Sequence, residues 1–201
     1  MKKNLQFLLV AVGLTAAYLS PALAKPTTTT PALIGPRMNI LTSTPKAYGF
    51  WSFSVVDKNR ISRSGQPLLS EFQWLKKNGW KSVIDLRTDG EYKEIADDRK
   101  IKGFSDLKFN FLSLPIRDGG IPTTAQASQF LKFATNPANL PVHIHCRGGY
   151  GRTGTMVALY RYMVDHWTMP RAILESRLYL GGVDSTQQQW LLNWAKNHKN
   201  S

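Results

Sequence analysis

Cysteine is almost absent from this chain: Cys146 stands alone among 201 residues. A single cysteine cannot close an internal disulfide, so the framework that holds together many small secreted domains is excluded. Acidic residues are scarce as well, 13 against 26 lysines and arginines, which leaves a formal charge of +13. Such an excess attracts polyanions, whether nucleic acid, acidic lipid or a phosphorylated substrate, and by itself selects none of them. No basic helix or aromatic stacking array accompanies the charge, so nucleic acid is not expected as a partner. There are only four histidines, and His143, His166 and His198 show no metal-ligand spacing with other candidate ligands. No metal and no other cofactor is implied.

Long apolar runs are missing too, apart from one near the start. Lys2 and Lys3 open the chain, an apolar stretch runs from Leu5 to Leu19, and Ala22-Leu23-Ala24 supplies small residues. This is the three-part layout of a secretory signal peptide over 1–24, with cleavage expected after Ala24. The run is short of the about 20 residues that span a bilayer. The expectation is therefore a monomeric periplasmic or secreted protein without stable membrane insertion, its formal charge lowered to about +11 by loss of the two lysines. Residues 25–47 hold Pro26, Thr27 to Thr30, Pro31, Pro36 and Pro45, and read as an extended linker.

From 48 to 201 the signals alternate as in one globular domain. Phe53–Val56, Ile61–Arg63, Ser82–Leu86, Leu107–Leu114 and Val142–Ile144 read as short strands. Helices are expected from Leu69 to Gly79, over Glu91–Lys100 with a charged outer face, from Thr123 or Thr124 through Phe133, and over Thr153–Trp167, Met169–Leu180 and Thr186–Lys196. Thr168 and Pro170 suit the start of the Met169 helix. The order predicts an α/β fold, a small and mostly parallel central sheet flanked by helices.

The chemistry concentrates in Val142-His143-Ile144-His145-Cys146-Arg147-Gly148-Gly149-Tyr150-Gly151-Arg152-Thr153-Gly154. A strand enters a glycine-rich loop, and the loop enters a helix. Gly148, Gly149 and Gly151 free the backbone to turn successive N–H groups into one concavity, at which the next helix aims its positive end. That is a cradle for a tetrahedral dianion, built from Arg147 to Arg152 with Tyr150 among them, and the Arg152 guanidinium adds a planar fork of donors. The same donors favour a thiolate at Cys146. Twenty-eight residues earlier, Asp118 lies in Leu114-Pro115-Ile116-Arg117-Asp118-Gly119-Gly120-Ile121-Pro122, a loop bracketed by prolines and hinged by glycines. It is the candidate general acid. Asp97, Asp98 and Asp106 suit that role less, falling on a charged helix or before the strand.

His145-Cys146, five residues, then Arg152-Thr153-Gly154 resembles the signature of the protein tyrosine phosphatase superfamily. The Asp118 loop resembles its mobile acid loop, without the tryptophan often found there. Arg63-Ser64-Gly65-Gln66-Pro67 and Val83-Ile84-Asp85-Leu86-Arg87 resemble the N-terminal half of bacterial dual-specificity-type members, so the likeness covers roughly 60 to 160. It implies a cysteinyl-phosphate mechanism in which Cys146 is the nucleophile and Asp118 the acid and base. His145 would orient the loop and favour the thiolate, and Thr153 would donate to the sulfur. It further implies structural roles for Asp85 and Arg87, and for Arg63 either substrate contact or structural pairing. Gln187, Gln188 and Gln189 read either as placing a hydrolytic water or as an exposed first helical turn. Lys58-Asn59-Arg60 is similar to a phosphotyrosine-binding loop, yet Ile61 stands where that loop needs an aromatic ring.

The loop is also similar to that of bacterial tyrosine-phosphatase-like phytases, which makes an inositol polyphosphate such as phytate the expected substrate. Gly119 and Gly148 depart from the usual histidine and alanine of those enzymes, and the chain is short for their additional small domain. A phosphotyrosine or dual-specificity protein phosphatase acting on a phosphoprotein is the alternative. An inactive phosphate-binding module is a remote one, since every expected catalytic residue is present.

Overall fold

The computed structural model describes residues 51–57, 60–88, 90 and 97–199. The expected leader and linker lie outside them, as do Lys58, Asn59 and most of the helix expected over Glu91–Lys100. Among the described residues no helix is long and apolar enough to cross a membrane.

Five four-residue strands, β1 (Ser54–Asp57), β2 (Ile61–Ser64), β3 (Ser82–Asp85), β4 (Asn110–Ser113) and β5 (Val142–His145), form one sheet in the order β1-β2-β5-β3-β4. β1 runs antiparallel to β2, and every other pairing is parallel. The sheet is thus mostly parallel, as expected. β5 lies at its centre and is buried throughout, and its register puts Ser64, Asp85 and His145 side by side at the carboxyl edge. Open parallel sheets offer ligands that edge.

Alternation along each strand assigns the two faces. Val142, Ile144, Ile61 and Ile84 point to the larger core, formed with α2 (Thr124–Thr135), α3 (Gly151–Met163), α4 (Met169–Ser176) and α5 (Ser185–Asn197). Val83 points to the other face, where α1 (Leu69–Lys77) contributes Phe72 and Leu75 and the chain beyond adds Phe104. His143 and His145 face this second side. His143 is sequestered there between Ser62 Oγ, 2.9 Å from Nδ1, and Ser64 Oγ, 2.8 Å from Nε2. Burial first, and the neighbouring His145 second, hold it well below the usual histidine range, so it is neutral.

The helix starts follow the capping signals. Thr123 rather than Thr124 caps α2, with Gln126 closing a capping box, and Asp184 caps α5 with Gln187 in the same role. Thr168 takes the N-cap position of α4 with Pro in the first turn, although its side chain makes no capping bond. Three expected elements are shorter than the pattern suggested. The strand expected from Leu107 begins at Asn110, because Ser105–Leu107 is a 3₁₀ turn that ends at Lys108 with φ of +50°. α3 stops at Met163 rather than Trp167, where His166 turns to a φ of +54° and Trp167 N–H returns to Arg161 O. α4 stops at Ser176 rather than Leu180, ahead of turns through Leu180 and Gly181 at positive φ. Within Glu91–Lys100 the described part is Asp97–Lys100, where Asp98–Lys100 is a 3₁₀ turn capped by Asp97 rather than α-helix.

Phe130 on α2 is fully buried in the larger core. Phe130→Ala is expected to destabilise the fold by about 3–5 kcal/mol, the usual cost of emptying a buried phenyl site, as read from urea unfolding midpoints.

Candidate active site

Cys146 follows directly on β5, which delivers its side chain, 3% exposed, to the carboxyl edge of the sheet. The loop then doubles back until the Gly149 amide donates to Cys146 Sγ across 3.2 Å. That turn needs a φ of +77° at Gly149, a conformation glycine adopts without a Cβ penalty. The position is also crowded: a Cβ there would lie 2.4 Å from Gly65 N. At Gly148 a Cβ would meet the Tyr150 ring at 2.3 Å, so that exposed ring would have to swing aside. The loop is held from outside as well. Arg63, fully buried in β2, donates through Nη2 to Gly149 O and lies 3.8 Å over the Tyr179 ring. Of its two readings, structural pairing is the one the structure supports.

Arg152 sits in the first turn of α3, a helix that no side chain caps at Tyr150. Its guanidinium is buried and directed by two contacts, Nη1 donating to Ile116 O at 2.9 Å and Nη2 meeting Asp118 Oδ1 at 3.1 Å. Asp118 itself is half-exposed. It lines a cavity of about 230 Å³ with Cys146, Arg147, Gly148, Tyr150, Gly151 and Arg152. The proposed nucleophile and anion fork, from the β5–loop–α3 unit, and the acid, from the loop after β4, are therefore brought together from two separate segments.

Behind the loop, His145 is fully buried. Its Nδ1 faces the Cys146 carbonyl at 3.3 Å and its Nε2 faces Asp98 Oδ2 at 2.7 Å. Burial pulls its pKa down, but Asp98 and Asp85 outweigh that and leave it raised above the ordinary histidine value. Asp85 and Arg87 pair in a bidentate contact, and the same Arg87 Nη2 reaches Asp98 Oδ1 at 2.8 Å. This bears out their structural reading. Asp85, Asp98 and His145 have ligand atoms within 4.8 Å of one another, but the Arg87 guanidinium already bridges the two carboxylates as their cation.

Some expected details differ. Thr153 Oγ1 makes no bond to the sulfur; it is buried without a hydrogen-bond partner, and the Gly149 amide is the donor to Sγ instead. Gln187 does not sit on an exposed turn. It is buried, lines the cavity, and donates from Nε2 to Gly120 O, tying α5 to the Asp118 loop. Ile61 is not beside the site at all, but buried at the opposite end of β2, paired with Val142. The aromatic surface near the site comes from Trp51 and Tyr150, both exposed, in a groove of about 730 Å³ that shares Arg147, Gly148 and Tyr150 with the catalytic cavity. Asp98, set aside as a residue of a charged helix, is buried and carries three partners.

Residues 51–193 match the family described as DSP-PTPase phosphatase fused to NAD+ kinase. The human dual specificity protein phosphatase CDC14C is 37% identical over 94 residues, 45% of this chain and 20% of that protein. NAD kinase 2, chloroplastic, of Arabidopsis thaliana is 28% identical over 103 residues, 49% of this chain and 10% of its own length. The chain thus spans only a small part of these curated relatives. Among solved structures, the core catalytic domain of the PP-IP phosphatase SIW14 from S. cerevisiae superposes with a TM-score of 0.59 at 22% identity, covering 72% of this chain and 91% of that one.

Gly149→Ala is expected to leave the fold intact and to abolish vanadate binding, because neither the positive φ nor the contact with Gly65 tolerates a Cβ. Circular dichroism and a vanadate titration of the purified variant check this.

Proposed function

The chain belongs to the dual-specificity type of protein tyrosine phosphatases, in the family described as DSP-PTPase phosphatase fused to NAD+ kinase, and we propose that Cys146, Arg152 and Asp118 perform its hydrolysis of phosphate monoesters. The observation that carries the assignment is the shared cavity: a sulfur held by a backbone amide, and an arginine fork held by the carboxylate, all opening to one space.

In the first step Cys146 Sγ attacks phosphorus in line. The S–P bond forms as the bond to the leaving oxygen breaks, and Asp118 gives that oxygen its proton. Charge on the equatorial oxygens falls to the loop amides and to Arg152, whose Nη2 exchanges Asp118 for phosphate. In the second step Asp118, now a carboxylate, takes a proton from water while the water oxygen attacks phosphorus and the thiolate leaves. Gly119, at φ of +66°, and Gly120, whose N–H bonds Arg117 O at 2.8 Å, form the turn that carries Asp118. Gln187, on Gly120 O, holds that turn from the α5 side.

For the substrate, the reading is an inositol polyphosphate, handled by an exported enzyme. Its supports are the exposed Arg147 at the junction of cavity and groove, the excess of basic residues, and the structural likeness to a PP-IP phosphatase. A phosphotyrosine protein is the second reading, favoured by the exposed Trp51 and Tyr150 that flank the phosphate site and could receive an aryl group.

Cys146→Ser is expected to lose turnover and still bind vanadate. Asp118→Asn is expected to slow turnover by ~10²–10⁴-fold, more for alkyl than for aryl phosphates, whose leaving groups need less protonation. Near wild-type turnover by the serine variant would remove Cys146 from the mechanism. For the substrate, kcat/KM is measured for phytate and a phosphotyrosine peptide at two salt concentrations. Phytate should win, by a margin that shrinks as salt screens exposed charges over ~8–10 Å; a peptide that wins at both concentrations replaces the first reading with the second.

A further inference from the structure

The buried cluster behind the catalytic loop contains two carboxylates, Asp85 and Asp98, one guanidinium, Arg87, and one imidazole, His145. Two negative charges face one fixed positive charge. The cluster is neutral only when the imidazole is protonated, and an unbalanced charge in such a place is strongly disfavoured. Hydrogen bonding requires the same state independently. Both ring nitrogens of His145 face pure acceptors, the Cys146 carbonyl at Nδ1 and Asp98 Oδ2 at Nε2. A neutral ring has one N–H and would leave one of those contacts without a hydrogen; only the doubly protonated ring donates to both.

Asp98 is the member that completes this arrangement. Asp85 is already engaged by Arg87 through two side-chain bonds and the backbone N–H, and it approaches His145 only to 4.0 Å. Asp98 makes the short contact. Its other oxygen is fixed by Arg87 Nη2 at 2.8 Å and Gln66 Nε2 at 3.0 Å. The pair is also directional: Asp98 lies on the far nitrogen of the ring, while the near nitrogen points to the main chain of the nucleophile itself. The positive end of the pair is therefore the end that faces Cys146.

We propose that Asp98 is a positioning residue for catalysis, holding His145 doubly protonated against the Cys146 carbonyl so that the thiolate forms beside a fixed positive charge. The inference rests on Cys146 being the nucleophile. The remaining ionisable neighbours do not replace this role. On β5, His143 stacks on His145 with ring centroids 6.1 Å apart and is neutral through burial. From α1 Phe72 meets the ring, edge-on at 5.9 Å. On the loop side, Arg63, on Gly149 O and Tyr179, and Arg152, on Ile116 O and Asp118, bring positive charge near Cys146 as well, but neither touches His145 and both stay in place when Asp98 is changed. The raised His145 and the lowered Asp98 agree with the assignment. In Asp98 burial opposes the fall, and His145 and Arg87 overcome it.

The test uses the full chain with Asp98→Asn, which keeps the shape and removes the charge. Because Cys146 is the only cysteine, its alkylation by iodoacetamide can be followed by mass spectrometry from pH 4 to 10. The midpoint of the pH–rate curve is expected to move upward by about one unit, with a roughly tenfold loss of kcat/KM on the acidic side. Alkylation should approach the wild-type rate at alkaline pH, where the thiol is ionised in both proteins. Asp98→Glu should restore much of the acidic-side rate. Gln66→Ala, which strips a neutral donor from the same carboxylate, should leave the midpoint in place. An unmoved midpoint in folded Asp98→Asn, or an equal shift in Gln66→Ala, overturns the proposal in favour of a purely structural role. Should Asp98→Asn fail to fold, ring ¹⁵N shifts of wild-type His145 at pH 7 decide: a doubly protonated ring supports the proposal and a neutral tautomer defeats it. Turnover by Cys146→Ser, in contrast, would defeat the underlying assignment of the nucleophile and leave the protonation of His145 untouched.

Discussion

The site depends on a steric constraint, the close approach of the loop after β2 to the loop after β5. Gly65 and Gly149 lie against each other so tightly that neither could carry a Cβ: one would meet Arg147 O at 2.8 Å, the other Gly65 N at 2.4 Å. The Gln66 N–H seals the contact on Arg147 O at 2.9 Å, and Gly65 N–H bonds Trp51 O at 2.6 Å. Pressed from this side, the catalytic loop has one way to turn, and that turn points the Gly149 amide at the sulfur. The parallel pairing of β2 with β5 makes the approach possible, since it brings Ser64 level with His145 and releases both chains at the same height.

From that contact the chemistry spreads through charges that are each held twice. Arg63 supports the loop and is itself braced by Tyr179, whose hydroxyl meets Ser54 Oγ at 2.7 Å. Arg152 is aimed by Ile116 O and Asp118. His145 is aimed by Asp98 and the main chain. A guanidinium or imidazolium with two partners has little rotational freedom left, and preorganised donors are what stabilise charge developing on a phosphoryl group.

Much of this was legible in the sequence wherever it is local. The spacing from Cys146 to Arg152 lies within one strand–loop–helix unit, and the short β-branched runs around Val83 and Val142 are buried strands whose composition alone identifies them. What stayed hidden depends on distant pairing. Asp98 stands in a charged stretch and reads as solvated; only the partners brought by Gln66, Arg87 and His145 show it to be buried. Gln187 doubles as a capping residue and a cavity wall, and the sequence displays only the helix start. Trp51 stands at the edge of a Pro-rich stretch, with nothing in its neighbours to place it beside Tyr150. Ile61 misled in the opposite direction, because its nearness in sequence to Lys58-Asn59-Arg60 suggested a rim position while the pleat of β2 turns it into the core.

The contact between Arg152 and Asp118 makes the empty site its own competitor. The guanidinium proposed to receive phosphate is paired with the protein's own carboxylate at 3.1 Å. An incoming anion gains only the difference between its own attraction and that of the group it displaces. Binding at this fork is therefore an exchange of one anion for another, and the affinity it shows is always a net quantity.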